Sequence, residues 1–132
     1  MHDTVAAAKR SIEQVHEWIQ TIFTGDAAAS EAALQQLMPL FAEDFSMVTT
    51  AGQIASRSQV EQMFRRGAGG RPGLVMEVAE MEAVWRSGAH IAMRYQETHR
   101  LNGVATSRRS VVLLTCAESA VRWNYLHETA LG

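Results

Sequence analysis

Helices followed by a run of strands make this chain an α+β domain, with the N-terminal helices packed on one face of an antiparallel sheet. Three observations predict it. Apolar residues recur at helical spacing before Pro39, strand-like runs dominate after Leu74, and Asn102-Gly103 joins two of those runs as a hairpin turn. No repeat, low-complexity tract or linker interrupts the 132 residues, so a single domain over 1–132 is expected.

From Thr4 to Phe23, Val5, Ala8, Ile12, Val15, Ile19 and Ile22 fall on one helical stripe. Gly25 is positioned to stop this helix and Asp26 to cap the next. The second helix runs from Ala28 to Met38 and buries Leu34, Leu37 and Met38, with Pro39 ending it. A short strand covers Phe45 to Thr49, and Gln53 to Ala55 returns beside it. Ser58-Gln59-Val60-Glu61 reads as a capping box opening a short helix that buries Val60, Met63 and Phe64. The segment from Gly67 to Gly73 lacks the Lys-Ser/Thr ending of a phosphate loop, so it reads as a mobile loop over a pocket rim. Leu74 to Trp85 opens the final meander, which continues through His90–Leu101, Val104–Cys116 and Val121–Glu128, with a turn at Glu118-Ser119.

Composition narrows the function classes. Hydrophobic residues make up 47% and charged ones 20%, the balance of a globular domain with a core. A net charge of −2 supplies no electrostatic reason for a nucleic-acid or anionic-membrane partner. Cys116 is the only cysteine, so no internal disulfide forms and a reducing compartment is the default. No run approaches the about 20 apolar residues that span a bilayer, and no signal-peptide core is present. A cytoplasmic location is expected.

Hairpin register assigns side chains to faces, because successive residues of a strand point to opposite sides. A two-residue Asn102-Gly103 loop pairs Leu101 with Val104, His99 with Thr106, Glu97 with Arg108, Tyr95 with Ser110, Met93 with Val112 and Ile91 with Leu114. A two-residue turn at Glu118-Ser119 sets Trp123 opposite Leu114, Tyr125 opposite Val112 and His127 opposite Ser110. A three-residue Arg86-Ser87-Gly88 loop sets Trp85 opposite Ala89 and Glu77 opposite Glu97, and keeps Glu80 and Glu82 outside. The inner face is then dry around Ile91, Met93, Val112, Leu114 and Trp123, and wet around Tyr95, Glu97, His99, Arg108, Ser110, Tyr125 and His127. The outer face is polar except for an island of Val111, Leu113 and Leu126, suited to a dimer contact.

The wet end carries the candidate chemistry. Glu97 opposite Arg108 is an ion pair on a partly enclosed face, and Glu77 would add a second carboxylate. Glu97 and His127 are candidate bases, with Arg108 an orienting or charge-stabilising group. Tyr95, His99, Ser110, Tyr125, Trp123, Met93 and Glu77 would contact the ligand. The same Glu97–Arg108 pair also reads as purely structural. His16 lies at the margin of the first helix's buried stripe and reads as a core-edge histidine. Trp18, Trp85 and Trp123 read as core or pocket wall, and the methionines as adaptable lining. No histidine and carboxylate spacing matches a metal site, so neither metal nor cofactor is expected.

The stretch Leu37-Met38-Pro39-Leu40-Phe41-Ala42-Glu43-Asp44-Phe45, the Ser56-Arg57-Ser58 helix start and the closing Arg122-Trp123-Asn124-Tyr125-Leu126-His127-Glu128-Thr129 resemble the nuclear transport factor 2-like, or cystatin-like cone, superfamily in its SnoaL-like and uncharacterised bacterial branches. The resemblance implies a strongly curved sheet wrapped around helices, an apolar internal pocket and a homodimer. Members include isomerases, cyclases, dehydratases and non-enzymatic binding domains. The isomerases use an aspartate base, and no inner aspartate is evident here. Two readings follow: a cofactor-independent acid–base enzyme acting on an apolar carbonyl compound, or a non-catalytic ligand-binding or interaction domain.

Overall fold

The computed structural model describes residues 3–118 and 120–132, so Ser119 of the expected Glu118-Ser119 turn lies outside the described residues. Helix α1 (Thr4–Thr24) starts at Asp3, whose carboxylate accepts from the Ala6 N–H at 3.0 Å. Gly25 closes it through an N–H to the Thr21 carbonyl. Asp26 caps α2 (Ala27–Leu37) by accepting from the Ala29 N–H at 2.8 Å. Pro39 then tightens the chain into a 3₁₀ turn at Met38–Leu40.

Strand β1 (Phe41–Val48) begins earlier than the expected Phe45. After β2 (Ile54–Ser56), helix α3 (Arg57–Gly67) opens on a capping box two residues ahead of the expected one. The Ser56 hydroxyl accepts from the Gln59 N–H, and the Gln59 side chain accepts from the Ser56 N–H. Arg57 holds that start by donating to the Met38 and Phe41 carbonyls.

Long strands follow: β3 (Val75–Ser87), β4 (His90–Leu101), β5 (Val104–Cys116) and β6 (Val121–Leu131). The open six-stranded sheet has the order β2-β1-β6-β5-β4-β3. It is mixed rather than wholly antiparallel, because β1 runs parallel to β6. The three helices belong to its inner side, where Ala8, Ile12, Val15 and Ile22 of α1 join Met93, Val112, Leu114 and Trp123 in one core. Among the described residues no helix is long and apolar enough to cross a membrane.

The β4–β5 register is the expected one from Leu101↔Val104 to Ile91↔Leu114. Asn102 and Gly103 both have positive φ, as a type I′ hairpin turn requires. The β5–β6 pair starts as expected, with Cys116↔Val121 and Leu114↔Trp123. It then changes, because Asn124 is an extra residue between Trp123 and Tyr125 and bulges the strand. Ser110 therefore pairs with Glu128, and Val112 with Leu126. Leu126 and Glu128 turn inward, while Tyr125 and His127 go to the outer face.

The β3–β4 connection also differs. Ser87 pairs with His90 across a two-residue Gly88-Ala89 turn, with Gly88 at positive φ, instead of the three-residue loop. The bulge at Val84 restores the expected faces as far as Met81, so Glu80 and Glu82 remain outside. The bulge at Glu80-Met81 reverses them again, turning Val78 inward and Ala79 and Glu77 outward. Glu77 consequently pairs with Thr98 and binds Arg100 on the outside at 2.5 Å. Trp85, expected on the inner wall, is 57% exposed on the outer face opposite Ala92. The outer apolar island thus loses Leu126, keeps Val111 and Leu113, and gains Trp85.

Candidate functional site

Between α1, α3, the 67–73 segment and the inner sheet lies a cavity of about 200 Å³. Val15, Ile19, Phe23, Phe41, Phe45, Met47, Val60, Trp123 and Leu126 make most of its wall apolar. At one end the wall changes character, where His16, Arg71, Tyr95, Glu97, His99, Arg108 and Glu128 meet.

Glu97 is the centre of this cluster. β4 turns it inward, and it is 4% exposed. His16, one helical turn after Ile12, brings its Nε2 to 2.8 Å from Glu97 Oε1. The other ring nitrogen of His16, Nδ1, donates to the Ile12 carbonyl at 2.7 Å. One proton therefore lies between His16 and Glu97. Burial alone would drive the imidazolium to lose it, yet the hydrogen bond and charge of Glu97 prevail and raise the His16 pKa. Burial works against the Glu97 carboxylate too, but hydrogen bonds from His16 and His99 and the charge of Arg108 hold its pKa well below the ordinary carboxylate value. The pair is therefore an imidazolium–carboxylate.

His99 approaches the second oxygen of Glu97. Arg71 Nη1 lies 3.1 Å from His99 Nδ1 and can only donate, which assigns the His99 proton to Nε2 and directs it at Glu97. Arg108 stands 3.9 Å from Glu97 and donates to Glu128 Oε1 at 3.3 Å. Burial raises the Glu128 pKa, the nearby Glu97 charge adds to it, and Arg108 offsets part of the rise. Burial, with both carboxylates close, likewise keeps the Tyr95 phenol protonated far above its ordinary range. The Tyr95 and Ser110 hydroxyls are buried on paired positions of β4 and β5, and among the described residues neither has a hydrogen-bond partner of good geometry, although Ser110 is close enough to ease the rise at Tyr95.

The structure thus brings together Glu97, Arg108, Tyr95 and His99 as the sequence predicts, with Trp123 in the apolar wall. Ser110 and Met93 are buried on the same face but outside the cavity lining. Three expected residues are elsewhere. His127 and Tyr125 hydrogen-bond to one another on the outer face at 3.0 Å, moved there by the Asn124 bulge, and Glu77 is outside with Arg100. His16, Glu128 and Arg71 take part instead. The placement of His16 between Val15 and Ile19 on an apolar stripe was the available signal for the first. Among the described residues, no group of three His, Cys, Asp or Glu side chains is disposed to hold a metal ion.

No protein-family model matches the chain, and no curated protein matches it. Solved structures do. An NTF-2-like protein of unknown function from Pseudomonas aeruginosa is 32% identical, with a TM-score of 0.88 over 96% of this chain and 99% of that one. An NTF2-like protein from Cytophaga hutchinsonii has a TM-score of 0.76 at 8% identity, over 98% of this chain and all of the other. A candidate scytalone dehydratase from Novosphingobium aromaticivorans has a TM-score of 0.69 at 13% identity, over all of this chain and 89% of that one. The last two establish likeness of fold alone.

Proposed function

The chain belongs to the nuclear transport factor 2-like family, and from that premise we propose that its cavity binds a small, mainly apolar carbonyl compound and moves a proton beside the carbonyl. The observation that carries this reading is the single ionisable end of an otherwise apolar cavity. A volume of about 200 Å³ suits a ligand of single-ring size, since engineered cavities of about 150 Å³ accept benzene.

The groups divide the work by proton affinity. Glu97 is held as an anion by three partners and is too weakly basic to take a carbon-bound proton. Glu128, with its raised pKa, is the better base. It removes a proton from the carbon next to the carbonyl; the C–H electron pair forms the new carbon–carbon π bond, and the carbonyl π pair moves onto the oxygen to give an enolate. Tyr95, a protonated donor, together with Arg108, stabilises that oxygen. Glu128 returns the proton to carbon. His16 and Glu97 hold the surrounding charge.

Deuterium exchange into cyclohexanone and phenylacetone, followed by NMR in D₂O, tests the reading. Exchange above the buffer rate is expected, with a loss of about 100-fold or more in Glu128→Gln and none in His127→Ala. Binding without exchange would favour a non-catalytic ligand-binding domain, a reading supported by the fully engaged carboxylate of Glu97.

A further inference from the structure

We infer that Arg71 is an anion hook at the cavity rim, so that the ligand carries a carboxylate or equivalent oxyanion at its polar end. The inference rests on the cavity being a ligand site, as proposed above.

Five charged side chains line the cavity: Arg71, Arg108 and the His16 imidazolium against Glu97 and Glu128. His16 and Arg108 each face a carboxylate. Arg71 is the remaining cation. Among the described residues it forms no salt bridge, and its one side-chain hydrogen bond goes to the neutral nitrogen of His99. Most of the guanidinium donors are therefore uncommitted, in a group shaped for two parallel bonds to a carboxylate. Its carbon lies 6.0 Å from the centre of the Phe23 ring, another cavity wall, so an apolar ligand body and its charged end have adjacent places.

The glycine-rich segment is the device that seats this side chain. The Gly69 N–H donates to the Ile22 carbonyl at 2.8 Å, and the Arg71 N–H donates to the Phe23 carbonyl at 2.9 Å. These bonds tie the segment to the last turn of α1. The approach is too close for side chains: a Cβ on Gly67 would come 2.8 Å from the Phe23 ring. Gly69 has φ +68°, and its Cβ would lie 3.1 Å from the Gly25 carbonyl oxygen. Glycines that do not form a phosphate loop thus have a use, which is to bring the Arg71 backbone against α1 and its guanidinium to His99.

Calorimetry with benzoate and its neutral isostere benzamide at low ionic strength tests the assignment. The native protein is expected to bind benzoate about tenfold or more tighter than benzamide, the scale of one charge-assisted hydrogen bond. Arg71→Met should bring the two probes within about twofold, and Arg71→Lys should keep part of the preference. Thermal melts establish that both variants are folded. If benzamide binds as well as benzoate, the hook is wrong while the cavity remains a ligand site. If the preference survives Arg71→Met, the anion is held elsewhere and the assignment fails. If neither probe binds, the cavity reading falls together with the hook.

Discussion

The two ends of the sheet's inner face are built from the same strands and the same two-residue alternation, but they are held together differently. At one end Ile91, Leu114 and Trp123 stand in a row across β4, β5 and β6, and all are almost fully buried. Four residues further along β4 the corresponding row is Tyr95, Ser110 and Glu128, and the next inner pair is Glu97 with Arg108. The dry end is stable because it excludes water, and its contribution depends on volume. The wet end buries charge, and its contribution depends on where protons sit. A fold that keeps such a cluster at the end of its core gives up some stability there, and the usual beneficiary is a site.

The largest effect should come from the dry end. Leu114→Ala removes a side chain that is 1% exposed and leaves a cavity, so a loss of about 2–5 kcal/mol is expected. Urea denaturation checks it, and the loss should be nearly the same at pH 5 and pH 8. A strong pH dependence would mean that the two ends are coupled rather than separable.

Glu97→Gln should cost about 1.5–3 kcal/mol near neutrality, as expected for losing a hydrogen bond to a charged group. Here pH matters. The native carboxylate has a depressed pKa, so its contribution is complete above the unfolded value of about 4.3 and is lost as pH falls through the folded value. His16 has a raised pKa, so its contribution is complete below the unfolded value of about 6.5 and is lost as pH rises through the folded value. The native protein should therefore exceed the variant most between those limits, and the gap should narrow in acid. Denaturation midpoints of both proteins from pH 3 to pH 9 measure it. A constant gap would show that the imidazolium–carboxylate pair does not contribute as described.

How much of this was legible in the sequence depended on local slack. Asn102-Gly103 accepts a tight turn with two positive φ values, which leaves no freedom in register, so every β4–β5 pair followed from counting. The β5–β6 turn was counted as well, but Asn124 has no feature that marks it as a bulge. One uncounted residue then exchanged Tyr125 and His127 for Leu126 and Glu128 on the inner face. In β3 the bulges at Val84 and at Glu80-Met81, with Glu80 at φ 55°, exchange the inner and outer faces twice, and no glycine or proline marks either of them. His16 was visible as a polar residue in an apolar stripe. Its partner lies 81 residues away, and pattern alone cannot supply a contact of that range. Arg71 was obscured by its neighbours, because a glycine-rich segment reads as loose until its hydrogen bonds to α1 are seen.

The smallest expected effects test the boundary between the two faces, at adjacent positions of β6. Glu128 is buried with a raised pKa, so the native state holds its proton more tightly than the unfolded chain does. Stability is then lost as pH rises from the unfolded carboxylate value through the folded one, and the penalty persists above it. Glu128→Gln removes a charge that is costly to bury while keeping a polar partner for Arg108, so it should be modestly stabilising, with a gain that grows as pH rises. His127 is exposed and among the described residues its side chain bonds to Tyr125, so His127→Ala should change stability by less than about 0.5 kcal/mol. Melting curves of the two variants at pH 4 and pH 8 decide the matter. A pH-dependent effect at His127 with none at Glu128 would restore the unbulged register, return His127 to the inner face and remove Glu128 from the site.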